Sequence, residues 1–177
     1  MVNCGNKISI FELLKTNNRT LDIFFFGVFN CKADAKGRVM LPVSLRSQIA
    51  PVLSSGFVIK RSYYEDCLEL YPMTEWNTVM RELNELSRYE EENIDFIRKY
   101  TASLRQVEID ANGRLLIPKD VITAVGITKN VVLAPIGKRI EIWDKDLYDA
   151  RISASKEEKV SLARKVRKAD TSSNELS

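Results

Sequence analysis

Asp34-Ala-Lys-Gly-Arg38-Val-Met-Leu-Pro42 returns later in the chain as Asp110-Ala-Asn-Gly-Arg114-Leu-Leu-Ile-Pro118, an offset of 110 − 34 = 76 residues. A repeat of this kind is the first feature to settle, because it makes the fold a pair of related units. In each copy the aspartate can cap a tight turn with a side-chain oxygen, and the glycine (Gly37, Gly113) supplies the positive φ of a short hairpin. The apolar residues beyond the arginine predict a strand. A short apolar stretch of helical spacing follows each proline, Val43 to Ile49 and Lys119 to Val125, with Pro42 and Pro118 at the favoured first helical position and Gly126 as a stop. Two further strands close each copy: Phe57-Val58-Ile59 with Cys67 to Tyr71, and Val131-Val132-Leu133 with Ile140 to Trp143. The unit reads strand, tight turn, strand, short helix, strand, strand.

A unit of about 45 residues cannot bury its own apolar faces, so the two copies are expected to pack as a pseudo-twofold pair. The expected division is repeat 1 over 24–74, a helical insert over 75–100, repeat 2 over 101–148, an N-terminal extension over 1–23 and a charged tail over 149–177. In the insert, Trp76, Val79, Leu83 and Leu86 recur at helical spacing, and Ile94, Ile97 and Leu104 resume the pattern beyond a charged break at Glu90-Glu91-Glu92. Two helices packed on the barrel are expected there. Their four basic and seven acidic residues suit them poorly to DNA. The tail, with Lys165, Arg167 and Lys168, reads as a solvated, partly disordered extension, with a non-specific phosphate contact as its functional alternative.

Formal net charge is +3 over 177 residues, and its distribution says more than its sum. Residues 1–24 carry +1 and residues 151–177 carry +3, leaving −1 for the body. A bulk basic field is therefore absent, and any nucleic-acid contact must come from a local cluster. The chain has no histidine, and its three cysteines, Cys4, Cys31 and Cys67, have no paired spacing. This removes Ser/His/Asp and Cys/His triads, and leaves no metal site except one built from scattered thiols and carboxylates. The thiols fit a reducing cytosol, with Cys31 and Cys67 as buried apolar residues. No residue pattern calls for a cofactor, no catalytic residue stands out, and no run of about 18 apolar residues suggests a membrane span. Ile23-Phe24-Phe25-Phe26 is too short for a signal core.

Arg38 and Arg114 are the residues that no turn requires. Each guanidinium could pair back to its aspartate, Asp34 or Asp110, or reach outward to phosphate and guanine edges. Charge context favours the first hairpin for DNA contact. Lys32, Lys36 and Arg38 lie close together opposed only by Asp34, whereas the second hairpin has Asn112 in place of the middle lysine and adds Glu108.

The doubled Asp-x-x-x-Arg hairpin, Asp-Cys-Leu-Glu-Leu-Tyr-Pro at 66–72, Gly-Arg-Leu-Leu-Ile-Pro at 113–118 and Ile-Glu-Ile-Trp at 140–143 together resemble the MraZ family of bacterial regulators, over roughly residues 24–150. The resemblance implies a mostly β fold with α, a swapped-hairpin double-psi β-barrel of two AbrB-like repeats with two helices between them. It also implies a ring-shaped homo-oligomer in the cytoplasm, associated with the nucleoid. Its partner would be double-stranded DNA carrying short direct repeats upstream of the regulator's own cell-division and cell-wall operon, which family members usually repress. Asp34 and Arg38, and Asp110 and Arg114, occupy the family's motif positions, with Arg38 the first choice for reading a base. Residues 1–23 precede the usual family start, and stand either as an appendage or as a start codon assigned too early. Three other readings compete. One is a structural ring that holds partner chains. Another is an enzyme using paired carboxylates such as Glu65-Asp66. The last is an antitoxin-like regulator, against which the second copy argues.

Overall fold

The two strand pairs expected within the copies, Phe57-Val58-Ile59 with the strand ending at Tyr71 and Val131-Val132-Leu133 with Ile140 to Trp143, both form, and the remaining strand pairings run between the copies. A computed structural model describes residues 23–174, so the N-terminal extension lies outside the described residues apart from Ile23. Repeat 1 supplies β1 (Phe29–Lys32), β2 (Arg38–Met40), helix α1 (Val43–Ile49), a 3-10 turn (Ala50–Ser55), β3 (Phe57–Arg61) and β4 (Leu68–Pro72). Helices α2 (Met73–Glu85) and α3 (Glu91–Thr101) intervene. Repeat 2 follows with β5 (Arg105–Val107), β6 (Arg114–Leu116), α4 (Lys119–Ala124), β7 (Asn130–Ile136) and β8 (Arg139–Asp144), and then come α5 (Lys145–Ile152) and α6 (Lys156–Asn174).

Six strands form one sheet in the order β1-β7-β8-β4-β3-β5, and β2 pairs with β6 in a separate ribbon. Exchanging the repeats turns that order into its own reverse, which is the signature of a pseudo-twofold axis between β4 and β8. Both edge strands are swapped, because β1 pairs with β7 of the other copy and β5 with β3. Bridges Ala33–Val39 and Ile109–Leu115 tie the ribbon to the two sheet edges and close the barrel.

Pleat alternation sorts the side chains. Phe57, Ile59, Leu68, Leu70, Val131, Leu133, Ile140 and Ile142 point into the barrel, where Val39 and Leu115 of the ribbon meet them. Full burial of one such side chain stabilises by about 1.5–3 kcal/mol. The outer face is covered too, which is why β4 is buried at every position. Val58 and Tyr71 pack under Trp76 of α2, and Val132, Ala134, Cys67 and Trp143 under Tyr148 of α5. Burial pushes the Cys67 thiol up to about 12, as expected of an inert apolar cysteine. Cys31 is half-buried, and its thiol is raised for the same reason.

The outer face also buries charge. Lys60, Glu69 and Glu141 stand side by side on β3, β4 and β8, and Lys60 is only 1% exposed. Lys60 Nζ lies 2.8 Å from Glu69 and 4.0 Å from the centre of the Tyr100 ring. Tyr71 and Ser62 donate to Glu69, Trp143 Nε1 donates to Glu141, and Arg139 reaches both carboxylates at 3.6–3.8 Å. Like charges placed opposite on adjacent strands repel, so this arrangement depends on its two cations.

Three local expectations are corrected. Pro42 and Pro118 are helix N-caps with extended ψ (147° and 138°), one position earlier than expected, and their carbonyls accept from Arg46 and Ile122. The break between α2 and α3 precedes the acidic run, and Glu91 and Glu92 form the first turn of α3, where the helix dipole favours negative charge. The segment after Tyr148 is helical in α5 and α6 rather than partly disordered, although every residue from Arg151 to Arg167 is exposed. Gly126 ends α4 with φ +68°; its N–H donates to Thr123 and that of Ile127 to Ile122, a Schellman stop.

Candidate nucleic-acid interface

Both Asp-x-x-Gly-Arg segments fold into the same turn. In the first, Asp34 Oδ1 accepts from the backbone N–H groups of Lys36 (2.9 Å) and Arg38 (3.0 Å), while Gly37 takes φ +81°. In the second, Asp110 Oδ1 accepts from Asn112 and Arg114, both at 2.9 Å, with Gly113 at φ +78°. The glycines serve close approach as well as φ. A Cβ on Gly37 would lie 2.6 Å from the Ile117 carbonyl, and one on Gly113 would collide with Arg46 of the other repeat.

The arginines differ. Arg38 donates from Nε to Asp34 Oδ2 at 2.7 Å, and its Nη2 lies 2.7 Å from the same oxygen. The pair-back geometry is therefore present, yet it occupies only one edge of the guanidinium and leaves the Nη1–Nη2 end open. A salt bridge to Asp34 and an outward fork are compatible, and the first holds the second in position. Arg114 is half-buried and makes no side-chain hydrogen bond or ion pair among the described residues.

Hydrogen bonds from Arg38, first through its backbone and then through its side chain, hold the Asp34 carboxyl at about 2, against 3.8 ordinarily. Because the folded value is depressed, the turn keeps this contribution above pH 4 and loses it as pH falls through about 2. A carboxyl NMR titration is expected to show that midpoint in the wild type and a partial rise in Arg38→Ala, which removes the side-chain bond and the charge but keeps the backbone N–H donors. A wild-type midpoint near 3.8 would mean that the clamp does not persist in solution.

Pairing of β2 with β6 brings the two hairpins together. Arg38 stands opposite Leu116 and Met40 opposite Arg114, whereas Val39 faces Leu115 on the buried side. The outward face of the ribbon thus carries two guanidiniums at diagonal corners with exposed Met40 and Leu116 between them. Beside it runs an open groove of about 840 Å³ whose charged lining is Lys36, Arg38, Arg114 and Lys119 against Glu108 and Asp110. Four cations against two carboxylates make it a local basic site in a balanced body. Lys32 ends β1 and is exposed, and Asn112 is exposed at the second turn; neither lines the groove. Lys119 was not singled out by sequence reasoning, although its place directly after the repeated proline was available as a signal. Glu65, raised as a catalytic candidate, pairs with Arg151 at 2.8 Å. Among the described residues no cluster of His, Cys, Asp or Glu could hold a metal ion, and no helix is long and apolar enough to cross a membrane.

This doubled hairpin is matched by a family model described as "MraZ protein, putative antitoxin-like", over residues 24–99 and again over 102–169. The chain belongs to the MraZ family. A relative from Christiangramia forsetii named transcriptional regulator MraZ is 49% identical over 144 residues, covering 81% of this chain and 93% of the relative. The protein of that name from Flavobacterium psychrophilum is 49% identical over 140 residues, 79% of this chain and 89% of its own. A third, from Pediococcus pentosaceus, is 34% identical over 133 residues, 75% and 90% of the two chains. The second MraZ match extends through α5 and into α6 as far as residue 169, so α5 and most of α6 fall within the matched span.

Proposed function

We propose that the chain is a transcriptional regulator that reads double-stranded DNA with the β2–β6 ribbon. The observation that carries this reading is the placement of both motif arginines on the one outward face of a two-stranded ribbon. The major groove admits such a ribbon, and arginine forks match the acceptors of guanine. The relatives' being named transcriptional regulators supports the same reading. Arg38 is the first choice for a base contact, with Arg114 beside it and Lys36, Lys32 and Asn112 as supporting contacts.

Magnitudes call for several copies. One bidentate base contact gives about 1–3 kcal/mol, while specific sites stand about 4–10 kcal/mol above non-specific ones. One protomer with two such arginines reaches at best the lower part of that range. A ring-shaped homo-oligomer meeting short direct repeats upstream of its own operon would add contacts through effective concentration. In this reading the protein acts in the cytoplasm, on the nucleoid, as a repressor of cell-division and cell-wall genes.

The test is binding to the DNA immediately upstream of its own coding sequence, footprinted and then trimmed to one or three repeats, over a range of salt. Affinity is expected to rise steeply with repeat number, and the logarithmic salt slope to be about −7 for about eight neutralised phosphates. Equal affinity for one and three repeats would remove the multi-protomer reading, and a salt slope near zero would remove DNA binding itself.

A further inference from the structure

The two hairpins differ in what lies over their turns. The helix residue seated on Gly37 is Ile122, whose Cδ1 would be 3.1 Å from a Cβ there. The pseudo-symmetric residue is Arg46 (46 + 76 = 122), and it seats on Gly113, where Nη1 would be 2.8 Å from a Cβ. Each turn is thus covered by the helix of the opposite repeat, once with an aliphatic side chain and once with a guanidinium. The turns differ in the complementary sense at their tips, since Lys36 of the first is replaced by Asn112 in the second.

We propose that Arg46 is the phosphate-contacting cation of the second hairpin, supplied across the repeat boundary in place of the lysine that this hairpin lacks. The inference rests on the ribbon's being the DNA-reading element. Packing alone does not account for the residue, because isoleucine fills the equivalent place over Gly37. Nor does an internal bond hold it there, because Arg46 Nε is buried without an acceptor and no carboxylate pairs with its guanidinium among the described residues. The side chain is half-exposed, so its terminal nitrogens can donate outward. A phosphate oxygen meeting the second turn would find Arg46 beside Arg114, as one meeting the first would find Lys36 beside Arg38. Both ends of the ribbon then carry two cations, one of each pair an arginine of the repeated motif.

The experiment compares Arg46→Ile, which copies the residue over Gly37, with Arg46→Lys, which keeps the charge, using full-length protein and the upstream fragment beside a scrambled duplex. Arg46→Ile is expected to weaken binding to both duplexes alike, by about tenfold at 0.15 M salt, and to flatten the salt slope by about 0.9 for each protomer seated on the DNA. Arg46→Lys is expected to stay within about threefold of the wild type. If Arg46→Ile lowers the melting temperature so far that it is unfolded during the assay, Arg46→Gln, which keeps the stem without the charge, gives the same reading. Wild-type binding by the uncharged variant, with Arg38→Ala defective, would make Arg46 a cover for Gly113 and overturn this proposal while leaving the ribbon reading intact. Equal losses in the lysine and uncharged variants would overturn it as well. Wild-type binding by Arg38→Ala, Arg114→Ala and Arg46→Ile together would overturn the ribbon reading and this proposal with it.

Discussion

Arg38→Ala is expected to abolish specific DNA binding while leaving the protein folded. Among the described residues the side chain hydrogen-bonds and ion-pairs only with Asp34, and both partners are solvated, so circular dichroism and the melting temperature should match the wild type. On DNA, loss of one bidentate base contact at about 1–3 kcal/mol is about five- to 150-fold per protomer, and the losses multiply over the protomers that share a site. Arg38→Lys sharpens the test. It preserves the charge but not the planar fork, so binding to a scrambled duplex should persist while preference for the upstream fragment falls. Unchanged specificity in Arg38→Ala would make the arginine a strut for the turn and would move the base-reading role to the second hairpin or off the ribbon.

The largest effect on stability is expected at Lys60. Removing it as Lys60→Ala leaves Glu69 and Glu141 side by side on the buried outer face, with Arg139 as the cation that still reaches both. Breaking one side of a buried ion pair costs about 3–5 kcal/mol. In a chain of this size that corresponds to a fall of roughly 6–20 °C in melting temperature. Lys60→Met combined with Glu69→Gln removes both charges and keeps an acceptor for one of the Tyr71 and Ser62 hydroxyls, while the other can turn and accept from the new amide N–H; it is expected to recover most of the loss in a denaturant titration. A loss below about 1 kcal/mol in Lys60→Ala would show that Arg139 alone neutralises both carboxylates.

Local patterns carried most of this architecture. The repeated Asp, Gly and Pro positions mark turns and helix starts because each acts on the backbone next to it, and the offset between copies announces two equivalent units, whose counterparts β2 and β6, and β4 and β8, do pair. What escaped reading depends on contacts between distant residues. Lys60, between Ile59 and Arg61, has the look of a strand residue facing water, and only the helices packed over it make it buried. Arg46 stands in an ordinary short helix, and nothing in the first repeat reveals that Gly113 lies beneath it. The two possible orientations of Arg38 could not be separated by spacing, since the same turn permits both. The C-terminal helices escaped for another reason: Lys156 to Arg167 is rich in charge with apolar residues scattered around the helix, so no single stripe marks it.

Closure of the barrel across the repeats has an evolutionary and geometric corollary. A module that needs a second copy to complete its sheet can obtain it from a separate chain, and both halves of the resulting dimer must then be identical. Here the second copy is covalently attached, so identity is no longer imposed: lysine faces asparagine at the turn tips, and isoleucine faces arginine above the glycines. An object with a strict dyad presents the same aspect from either direction. This one has a front and a back, so its two orientations on a linear lattice are no longer equivalent.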